Sequence, residues 1–159
     1  DRNNTGGVVA FEVGRDGSSK FLAIIQEEEP ADGSRKAGGF GSAVVVDGNT
    51  MLIGARGAVF SGAVSLGPVS LNKITAPDTR SANSFGMTVA AAGGVLTIGS
   101  PSADYEEGVS NIYEFDSSDR TWNHAGLLAA DIARLASMYG AQVDCENGMA
   151  GASGENLGF

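Results

Sequence analysis

The sequence predicts an all-β protein built from repeated antiparallel units, and three observations support this prediction. A short motif occurs three times along the chain. Each copy is followed by a dipeptide that is typical of tight β-hairpins. Glycine supplies 24 of the 159 residues, about twice its usual share, without the three-residue period of collagen.

The three copies of the motif share an aromatic residue followed by glycine, and they start at Phe40, Phe85 and Tyr139. A glycine near the end of the next extended run forms a second landmark: Gly54, Gly99 and Gly151. The dipeptide between the two landmarks is Asp-Gly, Gly-Gly or Asn-Gly. These dipeptides supply the positive φ angles of hairpin turns, so each unit is predicted to open with a β-hairpin.

A second hairpin is predicted in each unit. Residues 108–115 are rich in strand formers, residues 116–119 form a turn, and residues 120–123 resume an extended run. We interpret residues 62–66 and 8–13 as counterparts of 108–115 in the two preceding units. Residues 127–135 are interpreted as the end of an outer strand, although their Leu and Ala content leaves a helix open as an alternative.

Four short strands in a unit of this length are typical of a propeller blade. The chain then divides into the last two strands of a blade (1–39), a full blade (40–84), a second full blade (85–138) and the first two strands of a further blade (139–159). The predicted fold is thus a β-propeller segment of four-stranded antiparallel blades, about three blades' worth.

Propellers close with about four to eight blades, so three cannot form a ring. We therefore expect the chain to be part of a larger propeller, an expectation that the start at Asp1 without methionine also favours. Two alternatives are open. Copies of the chain could complete each other's half blades, or the chain could be an open arc docked on a larger partner.

The motifs resemble the FG-GAP repeat, which is found in the β-propeller of integrin α subunits and in surface proteins. The family pattern is Phe-Gly, a strand, a turn with glycine, and a second strand that ends in Gly-Ala-Pro. Arg56 stands for the proline in the first copy, and Ser100 for the alanine in the second. The matching positions are Phe40, Gly41, Gly54, Phe85, Gly86, Gly99, Pro101, Tyr139, Gly140 and Gly151.

The resemblance has physical support and one clear departure. Small residues such as Gly41, Gly86 and Gly140 suit a strand crowded against a propeller axis, and the aromatic ring can be buried between adjacent blades. Many repeats of the family bind calcium through several carboxylates in the first turn. The turns at positions 47–49, 92–94 and 146–148 each hold at most one, so we expect the metal-free variety.

Composition excludes several classes of partner and chemistry. Ten basic against nineteen acidic residues give a net charge of −9, which disfavours nucleic acid as a partner. No apolar run approaches the ~18 residues needed for membrane insertion. The single cysteine, Cys145, lies between Asp144 and Glu146. These charges disfavour a reactive thiolate, so we expect a small buried hydrophobe there.

The sequence predicts no catalytic residues and no cofactor. The only histidine is His124, expected on the surface of an outer strand. No Gly-x-Ser-x-Gly elbow, phosphate-binding loop or dinucleotide-binding fingerprint is present. The acidic groups at positions 27–29, 104–107 and 116–119 are interpreted as solvated charges.

We therefore expect a non-catalytic binding or assembly module that is extracellular, at the cell surface or in an organelle lumen. It would act in adhesion or as an accessory subunit, with a protein or a glycan as partner. One alternative is a lectin-like propeller with Trp122, Tyr105 and Tyr113 as ligand contacts. Another is the non-catalytic part of a larger hydrolase. The triplet at Asn3 is a glycosylation sequon if the chain enters a secretory pathway.

Overall fold

The computed structural model describes residues 6–28, 38–63, 69–78, 82, 84–103, 108–129, 137–146 and 149–155. These residues form an all-β structure without helices, as the sequence predicts. Within them no helix is long and apolar enough to cross a membrane. The strands are β1 (Gly7–Val13), β2 (Ser19–Gln26), β3 (Ala43–Asp47), β4 (Thr50–Ala55), β5 (Ala58–Ala63), β6 (Asn72–Thr75), β7 (Thr88–Ala92), β8 (Val95–Ser100), β9 (Val109–Asp116), β10 (Thr121–Ala129), β11 (Ser137–Glu146) and β12 (Met149–Glu155).

In the described part of the chain, four antiparallel sheets follow one another in sequence order. We call β1–β2 the first sheet, β3–β6 the second, β7–β10 the third and β11–β12 the fourth. Within each sheet, strands that follow one another in sequence are hydrogen-bonded neighbours. Each sheet is thus formed by one continuous segment of the chain, and adjacent sheets contact each other through their faces.

The turns explain why the hairpins form where they do. The β3–β4 turn has Gly48 at φ +57°, and the β7–β8 turn has Gly93 at +60° and Gly94 at +81°. These angles lie in the left-handed region that glycine adopts without steric cost. Both hairpins are present where the sequence predicts them; the corresponding turn at positions 147–148 lies outside the described residues.

One strand assignment differs from the sequence prediction. The third strand of the second sheet is β5 at Ala58–Ala63 rather than 62–66, because Arg56 and Gly57 already close a tight turn after β4. Gly57 adopts φ +86°, which permits this turn. The predicted outer strand over 127–135 agrees with β10 as far as it is described, because β10 continues through Ala129 and residues 130–136 lie outside the described residues.

Two apolar clusters lie between consecutive sheets. Phe40 is buried with Phe60 at a ring distance of 5.2 Å, and Val8, Ala10 and Ile25 of the first sheet pack in the same cluster. The second cluster is the matching contact between the second and third sheets, and its members are Leu52, Val59, Phe85, Val89, Leu96, Ile98 and Tyr113. The two Phe-Gly aromatics are therefore buried at equivalent junctions.

Glycines bring the backbones of adjacent sheets together at the same point of each junction. Gly41, Gly86 and Gly140 have φ of +89°, +84° and +87°. A Cβ on Gly54 would collide with the carbonyl oxygen of Gly86, and one on Gly99 with that of Gly140. The repeated glycines therefore permit a backbone approach that any side chain would block.

Strand register corrects the third copy of the repeat. Gly54 pairs with Ala43 and Gly99 with Thr88, each three residues after the motif aromatic. In the fourth sheet the residue three after Tyr139 is Gln142, and it pairs with Ser153. Ser153 thus occupies the position equivalent to Gly54 and Gly99, which the sequence analysis assigned to Gly151. Matching residue types along the sequence does not take the strand register into account. Gly151 itself has open space around it.

The structure also shows the surroundings of Glu27 and Arg56, two residues that the sequence analysis singled out. Glu27 was expected to be solvated, but it is 6% exposed because it follows β2 on the face that also buries Ile25. Arg56 stands where the family pattern has proline, and its backbone amide donates a hydrogen bond to the carbonyl of Gly38 at 2.7 Å. Proline could not make this bond. The acidic group at 104–107 lies outside the described residues.

Candidate functional site

A groove of about 780 Å³ lies between the outer strands of the second and third sheets. One wall is β6, where Asn72 and Ile74 pair with Ser61 and Val59. The other wall is β10, and Tyr113 of β9 is also part of the lining. The groove joins residues that are about 50 positions apart in the sequence.

Side chains alternate between the two faces of β10, and this alternation makes the β10 wall of the groove aromatic. Trp122 and His124 are two residues apart, so they project from the same face of the strand. Trp122 pairs with Phe115 and His124 with Tyr113, which places four rings in one row. The ring distances are 5.0 Å for Phe115–Trp122 and 5.2 Å for Tyr113–His124.

Hydrogen bonds fix the rings of this row in place. The Trp122 indole N–H donates to the Ser61 hydroxyl at 3.1 Å, across the junction between the sheets. The Tyr113 hydroxyl donates to the carbonyl oxygen of Thr75 at 3.3 Å, also across the junction. Nε2 of His124 lies 3.2 Å from Oδ1 of Asn111. The aromatic wall is therefore preorganised by the folded scaffold.

Tyr113 is a hydrogen-bond donor at neutral pH. Burial and the charge of Asp78 raise the pKa of Tyr113 to about 12. Both effects disfavour the phenolate, because it would be desolvated and would face a like charge. Tyr113 is therefore suited to hold the two sheets together and unsuited to act as a nucleophile or base.

This raised pKa predicts an alkaline destabilisation. The folded-state pKa lies above the ordinary value of 10.0, so the stabilisation is complete below pH 10 and is lost as the pH rises towards 12. We expect the melting temperature of the wild type to fall across this interval more steeply than that of Tyr113→Phe. Thermal melts at pH 9 to 12 would test this, and equal slopes would contradict it.

The groove contains few groups that could perform chemistry. Asp119 is the one carboxylate among the described residues that line it. Oδ1 of Asp119 accepts bonds from the amide and hydroxyl of Thr121, at 3.0 and 2.6 Å. A glycosidase needs two carboxylates across the scissile bond. Among the described residues, no three His, Cys, Asp or Glu side chains come together to hold a metal.

The aspartates of the strand turns serve the backbone. Oδ1 of Asp116 accepts bonds from the amide and hydroxyl of Ser118, and Asp16 makes the same pair of bonds with Ser18 in the first sheet. These hydrogen bonds lower the pKa of both aspartates. Both side chains are exposed, which for Asp116 agrees with the predicted solvated charge, and both stabilise their turns.

Cys145 is half-buried at the junction of the third and fourth sheets. Its thiol lies 3.0 Å from the Thr97 hydroxyl and donates to the carbonyl of Ala90 at 3.5 Å. Cys145 was expected to be a small buried hydrophobic residue, but it is half-buried and makes polar contacts.

A second cavity, of about 640 Å³, runs past the first strands of the second, third and fourth sheets. Its polar lining comes from Ser42, Thr88, Gln142, Asp144 and Ser153. None of the described residues that line it is aromatic or cationic. We therefore take the groove between β6 and β10 as the candidate site.

The sequence prediction identified part of this site. Trp122 and Tyr113 were predicted as possible ligand contacts, and both line the groove, where Trp122 is half-buried and Tyr113 is 3% exposed. Tyr105 lies outside the described residues. His124 and Asn72 were not predicted, because nothing in the sequence indicates which outer strands face each other.

No protein-family model matches the chain, and no curated protein is significantly similar to it. The FG-GAP resemblance therefore stays a prediction from the repeated residues.

Proposed function

We propose that this chain is a non-catalytic binding module of the β-propeller type, related to the FG-GAP repeat. It acts outside the cell, at the cell surface or in an organelle lumen, in adhesion or as an accessory subunit of a larger complex. The groove between β6 and β10 is the observation on which the proposal rests. It combines fixed aromatic rings with hydrogen-bonding groups and holds a single carboxylate among its described residues.

The propeller arrangement is supported by the repetition of the junctions. Two complete sheets of four antiparallel strands follow each other, and each begins with a Phe-Gly pair whose ring is buried against the sheet before it. The same glycine contact recurs at the junction of the third and fourth sheets. Equivalent junctions between successive sheets are the property expected of a propeller.

A saccharide is the ligand class that fits the groove best. The half-buried Trp122 and the exposed His124 offer ring surface for the C–H face of a sugar, and the buried Tyr113 ring supports His124 from below. Asn72 and Arg120 supply amide and guanidinium donors along the rim, where both are exposed. Nε2 of His124 is engaged by Asn111, so Nδ1 is the ring nitrogen left for a sugar hydroxyl.

A glycan array followed by calorimetric titration of the best binder tests this proposal. We expect Trp122→Ala and His124→Ala each to weaken binding about tenfold, which corresponds to about 1.4 kcal/mol and lies within the range of single aromatic contacts. His124 is exposed, but its Nε2 contacts Oδ1 of the buried Asn111, so thermal melts of His124→Ala and the wild type are compared before binding is measured.

Glu114→Gln is the matched control. Glu114 is exposed, follows Tyr113 on β9 and projects from the opposite face of the strand. This variant should bind like the wild type. Absence of binding to every glycan, or equal weakening in Glu114→Gln and His124→Ala, would refute the saccharide site.

A further inference from the structure

The first sheet exposes an apolar face that points away from the second sheet. Its members are Val9, Phe11, Val13, Phe21 and Ile24, each between 51% and 73% exposed. Val9 pairs with Ile24 and Phe11 with Phe21, so these side chains share one face. Five large apolar side chains on one sheet face mark an interaction surface rather than scattered surface residues. We call them the outer face.

The repeat shows what normally covers such a face. A Cβ on Gly41 would lie 3.3 Å from the carbonyl oxygen of Gly7, one on Gly140 would lie 2.6 Å from that of Val109, and one on Gly86 would meet that of Ala58. Gly7, Ala58 and Val109 are therefore equivalent residues in successive sheets.

Counting along the strands from these residues extends the equivalence. Two residues after Gly7, Val9 of the first sheet corresponds to Phe60, which lies two residues after Ala58 in the second sheet. Four residues after Gly7, Phe11 corresponds to Tyr113, which lies four residues after Val109 in the third sheet. Phe60 is 6% exposed and packs in the cluster shared with the first sheet, and Tyr113 is 3% exposed in the cluster shared with the second. The outer face is thus the surface that this repeat covers with a preceding sheet.

The strand edges are also complementary. By the same equivalence, β1–β2 correspond to the last two strands of a complete sheet, and β11–β12 to the first two. Among the described residues, β1 pairs with β2 alone and β12 with β11 alone. Each of these sheets therefore has one open edge, and the two edges are those that pair in the middle of a complete sheet. Open edges recruit further strands.

We propose that a second copy of this chain covers the outer face. The β11–β12 sheet of one copy pairs through β12 with β1 of its partner, and the composite four-stranded sheet places the outer face against the partner's third sheet. The described residues of two copies contain four complete sheets and form two composite ones, which together make a six-bladed ring, within the range of about four to eight blades that close. Such a head-to-tail contact is stable when the rotation closes.

The proposal rests on the β-propeller arrangement proposed above, but it is independent of saccharide binding. A chain that dimerises without binding any glycan would refute the groove and leave this inference standing. A chain that binds glycan as a monomer would do the reverse.

The register of the composite sheet can be tested by a disulfide. In the second sheet Ile53 pairs with Phe60, and the equivalent residues across the composite edge are Ala152 and Val9. In a Cys145→Ser background, Val9→Cys with Ala152→Cys should form a covalent dimer on oxidation. Val13→Cys with Ala152→Cys is the mismatched control, since it is four residues out of register, about 13 Å along the strand.

Native mass spectrometry of the chain should give twice 16.1 kDa, and Phe11→Ser should weaken the dimer at least tenfold. Met87→Ser removes an exposed side chain that precedes β7 and does not belong to the outer face, and it should leave the dimer unchanged. A monomeric wild type, an open-ended series of larger species, or equal cross-linking of the matched and mismatched pairs would overturn the proposal.

Discussion

Phe85→Ala should lower the free energy of unfolding by about 3–5 kcal/mol, the usual range for truncating a buried aromatic ring. Phe85 is fully buried, and its ring meets Tyr113 edge-to-face at 6.5 Å. The loss includes the transfer free energy of the ring and the cavity left between the second and third sheets. Urea titration followed by tryptophan fluorescence would measure it, because Trp122 lies beside the same cluster.

Met87→Ala is the control for this prediction. Met87 lies two residues further along the chain and is 44% exposed, so its truncation should cost within about 0.5 kcal/mol. A loss below about 1 kcal/mol for Phe85→Ala would refute the placement of the ring between the sheets.

Gly86→Ala should be comparably damaging for a different reason. Gly86 has φ +84°, where a non-glycine residue is strained by about 1–2 kcal/mol. The added methyl would also collide with the carbonyl oxygens of Ala55 and Ala58. Overpacking costs about 1–3 kcal/mol, so we expect a combined loss of roughly 2–5 kcal/mol.

Gly93→Ala separates the two contributions to that loss. Gly93 has φ +60° in the β7–β8 turn, but a Cβ there meets nothing within 4 Å. This variant should lose only the backbone contribution of about 1–2 kcal/mol. If urea titrations gave equal losses for Gly86→Ala and Gly93→Ala, the close approach of the two backbones would be disproved.

The sequence could predict the local part of the fold because that part is encoded in short segments. Dipeptides such as Gly93-Gly94 determine a hairpin without help from distant residues. The Phe40 and Phe85 motifs indicated the repeat and the size of each unit. The all-β class followed from these elements.

Other features depend on register and on contacts between sheets. Arg56 and Gly57 form a tight turn, but this dipeptide is not one of the typical hairpin dipeptides. The turn was therefore missed in the sequence analysis, and β5 starts earlier than predicted. Ser153 was missed because register, not residue type, decides which position faces Gln142. Burial of Glu27 likewise follows from the side-chain alternation beyond β2.

The candidate site shows the same division. Trp122 and Tyr113 could be predicted because strand aromatics suggest either core or ligand contact. Asn72 and Arg120 could not, because they meet only after the second and third sheets stack. A groove between two sheets has no signature in either sheet alone.

The three junctions between sheets differ in polarity, and this difference predicts the order in which the structure opens. The first two contain the two apolar clusters, and the polar contacts of Trp122 and Tyr113 lie beside the second cluster. The third junction joins the Thr97 hydroxyl to the Cys145 thiol and buries the Ser110 hydroxyl without a partner among the described residues. An unpaired buried hydroxyl weakens a junction. In an isolated chain the fourth sheet should therefore separate before the others, so that amide exchange is fastest there and Cys145 reacts with thiol reagents while the second and third sheets stay folded.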